Sequence, residues 1–484
     1  MRRNRAYLLL GFIGLFVFAL RLAQAQTNLT DTAAFSFANN AGAVISLTPG
    51  ATINVGYAKV QPTAGPAMME IVGFRPGANL IDELVIPAAP LITTGRMYVR
   101  LSGSVVTGAA FANPNNQSVS ITYVFTDQTG TDSEPGFLVL DPNGQKALFF
   151  NQAPFSGAPA TGTLSFISDA PVSIIGLRGF TNERPEFLLT AFPVSSLASL
   201  STDTVIVPHW ANGGGFSDRV VLINPTDQVI SGTAQFMLGS GSAATLTVNG
   251  SMGSSFPYSI EARSVQELAT SGSGNVQTGS VRMTPGNGTN SPEAFSFLSF
   301  KPSTITVSEA VFPAVLSDTA FRVYVENSGA SVSGGVVIAN PSANQISVTF
   351  TLTSLSGSSL GSTSLQIPGN GQVSMLASQL FPALPSTVQG ILRATSMPAL
   401  VPSGIRFRVN ERSDFLLSGV PAFPENGMPG GVLPHIPLGG GFSSQVILFS
   451  RASGQMNSGT VKFITQAGGK MLVIKRFAGQ LISQ

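Results

Sequence analysis

The sequence predicts an all-β protein, a tandem array of Ig-like β-sandwich modules of roughly 105–120 residues in two alternating types. Three observations predict it. Apolar and polar residues alternate in segments such as Val119 to Phe125 and Ile346 to Leu352, as in half-buried strands. Turn dipeptides recur at short intervals: Asn113-Pro114, Asn143-Gly144, Asn224-Pro225, Asn340-Pro341 and Asn370-Gly371. Both histidines of the chain stand in register, Pro208-His209 before Gly213-Gly214-Gly215-Phe216 and Pro434-His435 before Gly439-Gly440-Gly441-Phe442. A residue type used twice, both times at one place in a repeat, marks a duplicated scaffold.

The repeat also sets the organisation. Apolar runs ending in Asn-Pro close at 113, 224 and 340, and Asn143-Gly144-Gln145 returns as Asn370-Gly371-Gln372. In the second half of each module a base precedes an acid by eight residues: Arg75 and Glu83, Arg178 and Glu186, Lys301 and Glu309, Arg406 and Asp414. That spacing fits a hairpin with a three-residue loop, which predicts a cross-strand ion pair stapling each module. The expected domains are a partial module at 26–95, whole modules at 96–200, 201–318 and 319–428, and a partial module at 429–484. Boundaries shifted to near 140, 252 and 366 give four whole sandwiches instead, and avoid isolated halves with open apolar faces. Residues 470–484 depart from the repeat, as a cap or a degenerate end.

Residues 1–25 read as a cleaved signal peptide. Arg2, Arg3 and Arg5 precede an apolar stretch from Tyr7 to Leu20, and Ala23-Gln24-Ala25 is a small-x-small cleavage site. The leader holds four of the 25 basic residues and no acid, so the mature chain carries 21 bases against 23 acids. No basic surface remains to suggest nucleic acid, and no later segment suggests a membrane span. Cysteine is absent, which excludes disulfides, thiolate metal sites and a cysteine nucleophile. Charged residues are 10% of the chain, yet 43% hydrophobic content with 33 Phe provides for packed cores.

No constellation carries recognisable chemistry. His209 with Trp210 could be an aromatic binding spot, but a strand-to-turn junction explains them more simply, and Trp210 becomes Ile436 in the other copy. The glycine triplets 213–215 and 439–441 lack the Lys-Ser/Thr and following helix of a phosphate loop. Asn182-Glu183-Arg184 and Asn410-Glu411-Arg412 read as turn-fixing triplets, and Asp127, Asp132 and Glu134 as a solvated hairpin tip. No catalytic, metal-ligating or cofactor-binding residue is assigned. His209, Trp210, Gly213, Gly214, Gly215, His435, Gly439, Gly440 and Gly441 are expected to form display loops.

The motifs Pro-His-x3-Gly-Gly-Gly-Phe (208–216, 434–442), the apolar run ending in Asn-Pro, and Asn-Glu-Arg-x-acid-Phe-Leu-Leu (182–189, 410–417) resemble those of exported tandem β-sandwich repeat proteins of free-living bacteria. The resemblance spans nearly the whole mature chain. It implies export and a β-sandwich fold, and it carries no catalytic residue. The expected function is that of a secreted, non-enzymatic structural or adhesive protein of the cell surface or matrix. Its partner would be an extracellular protein or polysaccharide. A glycan-binding accessory protein and a secreted hydrolase are the alternatives.

Overall fold

The computed structural model describes residues 29–61, 65–198, 200–426, 431–451 and 456–479. The expected signal peptide and residues 480–484 lie outside the described residues. The chain is all-β: among the described residues the one α-helix is a single turn, Ala377–Leu380. Among the described residues no helix is long and apolar enough to cross a membrane.

Strand pairing defines four sandwich units, each an outer and an inner antiparallel sheet. In unit 1 (91–196) the long strand Thr161–Thr181 serves both sheets. Its first half pairs with Leu91–Ser102 and Val119–Asp127, and its second half with Val105–Ala112 and Phe187–Phe192. The switch falls at an irregularity between Ile167 and Val172. Unit 3 (318–424) repeats this with Thr387–Val409. In unit 2 (205–313) the equivalent strand is broken into Gln277–Pro285 and Glu293–Phe300.

The two expected partial modules form the fourth unit together. Thr32–Phe37 and Asn54–Gln61 pair with Asn457–Thr465, and Gly42–Thr48 and Ala67–Phe74 flank Phe442–Phe449. This closing unit has one core, in which Phe35, Phe37 and Ile45 pack with Leu433, Leu448 and Phe463. Neither truncated copies nor a shifted phase is needed, because each half covers the apolar face of the other. Within the stretch that departs from the repeat, Ile474–Gly479 adds an edge strand beside Gly42–Thr48.

The two sheet types explain two kinds of sequence pattern. Outer sheets cover one core, so their strands alternate: Val119–Asp127 reads buried, exposed, buried, exposed from its start. Inner sheets are buried on both faces, so Phe216–Ile223 ends in the unbroken run Val220-Val221-Leu222-Ile223. The second face packs on a neighbouring unit. Val221, Phe295 and Phe297 of unit 2 join the core of unit 1. Val337, Ile405 and Leu417 of unit 3 join that of unit 2, and Met69, Ile71 and Ile447 of the closing unit join that of unit 3. Val72, Leu84 and Ile86 of the closing unit pack on Ile175, Leu177 and Leu189 of unit 1.

The units therefore form a closed ring and not an open series. At its axis stand four central strands, Asp82–Pro87, Phe187–Phe192, Ser308–Pro313 and Phe415–Val420, each the edge of its inner sheet. Each touches the next in that order, and the last touches the first.

Candidate functional site at the ring axis

The central strands approach closely enough to select residues. A Cβ on Gly419 would sit 2.0 Å from the Val311 carbonyl oxygen, so only glycine fits there. Leu417 N–H donates to Ser308 Oγ at 2.8 Å, and Leu189 N–H donates to Asp82 Oδ2 at 2.6 Å. A cavity of about 80 Å³ lies among these strands, walled mainly by Val85, Ala191, Phe192, Val311 and Val420 with Glu83 and Glu309 at its margin. Its apolar wall suits packing more than chemistry.

The eight base and acid residues singled out by spacing surround this axis, but not as hairpin staples. The register sets Arg178 opposite Thr190 and Arg406 opposite Ser418, while Glu83 opposes Gly73 and Glu309 opposes Ser299. The hairpin turns about residue 184 and not 182, since Thr181 pairs with Phe187, and inside its five-residue loop Asn182 Oδ1 accepts from the N–H groups of both Arg184 and Glu186. Every one of the eight pairs with another unit instead. Arg178 binds Glu309 and Arg406 binds Glu83, with all four side chains at most 6% exposed. Arg75 meets Glu411 and Lys301 meets Glu183, both at 2.6 Å. Glu186 receives Arg412 at 2.6 Å and Asp414 receives Arg184 at 2.8 Å, joining units 1 and 3 across the axis.

The Asn-Glu-Arg triplets are thus joints. Asn182 Nδ2 donates to Thr306 O and Asn410 Nδ2 to Leu80 O, each in the next unit. The adjacent glutamates accept from the N–H groups of Thr306 and Leu80, and the arginines turn inward to the diagonal partner. Glu183 is held down to about 2, against the opposing effect of partial burial, by Lys301 and the Thr306 N–H.

The expected display loops also prove structural. His209 and His435 are 4% and 5% exposed, and Trp210 is fully buried, its indole N–H donating to Met237 O and Ser280 O. They lie on Val205–Asn212 and Val432–Leu438, edge strands of the outer sheets that are buried almost throughout. Gln372 Nε2 donates to His209 Nδ1 at 3.2 Å, and Gln145 Nε2 donates to His435 Nδ1 at 3.4 Å, each across a unit boundary. Burial lowers both imidazoles to about 4, so they are neutral acceptors. The glycine triplets form tight turns. Gly214 and Gly215 have φ of 61° and 95°, as in a type I′ hairpin turn, and Gly213 and Phe216 exchange both backbone hydrogen bonds. Only Gly214 and Gly440 are exposed, and Gly213 and Gly439 are buried, so these loops present no side chain. The expected acidic tip is split, Asp132 pairing with Arg263 of unit 2.

Sequence reasoning passed over two buried acids. Glu70 is fully buried beside Ser444, and Asp218 is buried beside Ser296. The two pairs are mirror choices at equivalent positions, acid and serine exchanged between neighbouring strands. Both Glu70 oxygens and Asp218 Oδ1 lack hydrogen-bond partners. Burial raises Glu70 to about 8 and pushes Asp218 well up, while Asp82 rises to about 7. Glu70 lies inside an apolar run with no flanking charge, and Asp218 stands beside Arg219 as an ordinary exposed pair would, so neither position reads as buried.

Three outcomes follow. Glu309→Gln leaves Arg178 charged and buried, and should cost about 3–5 kcal/mol in chemical denaturation. Glu70 binds its proton more tightly folded than unfolded, so its contribution is complete below about pH 4.5 and is lost as pH rises through about 8. Glu70→Gln should therefore match the wild type in melting at pH 4 and melt higher at pH 9, by a few kcal/mol of stability. The buried histidines act oppositely, with stability lost as pH falls from about 6.5 through about 4.

No family model and no curated protein matches the sequence. Among solved structures, the VP2 subviral particle of infectious bursal disease virus aligns at 10% identity over 86% of this chain and 88% of that one, with a TM-score of 0.10. The particle of the Gx strain of the same virus aligns at 10% identity over 86% and 84%, with a TM-score of 0.11. At such scores neither likeness assigns a fold or a function to this chain.

Proposed function

We propose that the chain is a secreted, non-enzymatic structural or adhesive protein of the bacterial surface or matrix, acting as a rigid ring that presents four outer sheet faces. One observation carries this reading: the distribution of charge. Most ion pairs sit in the joints between units, while the outer faces are hydroxyl-rich. In unit 3, Thr395, Thr349 and Ser364 form a row across three strands, flanked by Ser347 and Gln366. In unit 2, Thr284 and Thr233 form a similar row. Flat arrays of hydroxyls favour weak contact with extended polymers, and repetition on one rigid body turns weak contacts into avidity. The side chains best suited to catalysis, His209 and His435, are occupied as buried hydrogen-bond acceptors.

The glycan-binding alternative is favoured by one feature, a polar cavity of about 760 Å³ between the closing unit and unit 1. Lys59, Lys462 and Lys470 line it with Asn115, Asn116 and Asn143, groups that suit sugar hydroxyls and acidic substituents.

The test is sedimentation of the mature protein with intact bacterial cells and with insoluble cellulose or chitin. Binding should be measurable and should fall several-fold in the variant Ser347→Glu/Thr349→Glu/Ser364→Glu, with melting unchanged. Binding lost instead on Lys59→Glu/Lys462→Glu would move the assignment to the cavity. Polysaccharide turnover abolished by His209→Gln or His435→Gln would contradict the non-enzymatic reading.

A further inference from the structure

The ring has an internal standard of comparison, because the junction of units 1 and 2 repeats as the junction of unit 3 and the closing unit. Arg178 and Arg406 are equivalent, each binding the acid of the next central strand, Glu309 or Glu83. At the second junction Arg406 is satisfied twice, its Nη1 also donating to Glu326 Oε2 at 2.8 Å. At the first junction the residue in the register of Glu326 is Arg100: Glu326 pairs with Gln389 where Arg100 pairs with Thr161. Arg178 Nη1 consequently has no hydrogen-bond partner, although the residue is only 5% exposed. Its guanidinium lies over the Phe297 ring at 4.8 Å.

The same junction holds a cavity of about 260 Å³ lined by Arg178, Arg100, Arg219 and Lys301, with Ser217 and Ser299 among its polar walls. The acids lining it are Glu309, already bound to Arg178, and Asp218, whose carboxyl is buried beside Ser296 and makes no ion pair with Arg178. Arg100 and Arg219 share Glu267, whose equivalent at the other junction is Val44. At the first junction a cation thus stands where the second has the carboxylate that binds its central arginine, and the acid added there, Glu267, is taken up by Arg100 and Arg219 and leaves Arg178 Nη1 unpartnered.

We propose that this cavity binds a small carboxylate-bearing molecule, its carboxylate taking the place on Arg178 Nη1 that Glu326 takes on Arg406, with Arg100 as the second donor. A carboxylate is the group the equivalent site contains, and guanidinium groups bind it with paired charge-assisted hydrogen bonds. The volume lies just under the roughly 300–1,000 Å³ of pockets for drug-sized ligands, which suits a molecule the size of a sugar acid. The proposal is independent of the adhesive reading and of the polar cavity beside Lys59.

The experiment is a melting and calorimetric titration of the mature chain with sodium glucuronate and sodium acetate, at ionic strength matched with chloride. Glucose and sulfate are the controls. Glucuronate should raise the melting temperature and give a saturable isotherm, and glucose should do neither. Arg100→Glu/Glu267→Val gives Arg178 the carboxylate that Arg406 has in Glu326 and removes the second donor, so it should lose the response. Arg100→Gln, a milder change, should weaken glucuronate binding about tenfold, the equivalent of about 1.4 kcal/mol. No response to either carboxylate beyond chloride would overturn the proposal, as would a response kept in the double variant. A response to sulfate alone would do the same, showing an adventitious ion only.

Discussion

The structure depends on one constraint: half a sandwich is not a stable object. The strands of 32–87 and those of 432–479 each present one uncovered apolar face, and each is the complement of the other. Once they pair, the three units between them are drawn into a ring, and the inner sheets gain a second buried face. That second face is why the runs around Val220 and Val446 are continuous while those around Val119 alternate. Apolar burial supplies the cohesion at every junction.

The charges do something different. A buried Arg–carboxylate pair adds little net stability over an apolar pair, but it tolerates almost no displacement once formed. Arg178–Glu309 and Arg406–Glu83 lie at junctions already held by apolar contact, so they fix the angle and register between units. The other two junctions use neutral contacts, His209 with Gln372 and His435 with Gln145. Two kinds of joint therefore alternate around the ring. The departures from this symmetry are few, and Arg100 in place of Glu326 is the one that opens a cavity beside an unsatisfied arginine.

Much of this was legible in the sequence. The all-β class followed from alternation and turn dipeptides, and the in-register histidines marked the duplication. Both halves of the histidine joints were visible too, as Pro-His at 208 and 434 and Asn-Gly-Gln at 143 and 370. What one sequence could not supply was their pairing, because each histidine bonds the glutamine of a different unit. The same limit produced the error over the ion pairs. A spacing of eight looks like a hairpin, yet the turn is centred on residue 184, two residues past the midpoint of Arg178 and Glu186, and Arg178 reaches Glu309 instead. Ring closure was hidden for a related reason: the complementary half-units lie at opposite ends of the described chain. The buried acids gave no signal, since Glu70 is a lone carboxyl inside an apolar run and Asp218, next to Arg219, has the look of a surface pair.

The central claim is that 32–87 and 432–479 form one sandwich within a single chain. The absence of cysteine makes a disulfide test clean. Ala34 and Thr460 are directly opposed on the outer sheet of the closing unit, so Ala34→Cys/Thr460→Cys places two thiols at cross-strand distance. Mild oxidation should yield an intrachain disulfide in the monomer, detected as a single linked peptide pair after proteolysis. Thiols that stay free, or a bond found only between chains, would contradict ring closure.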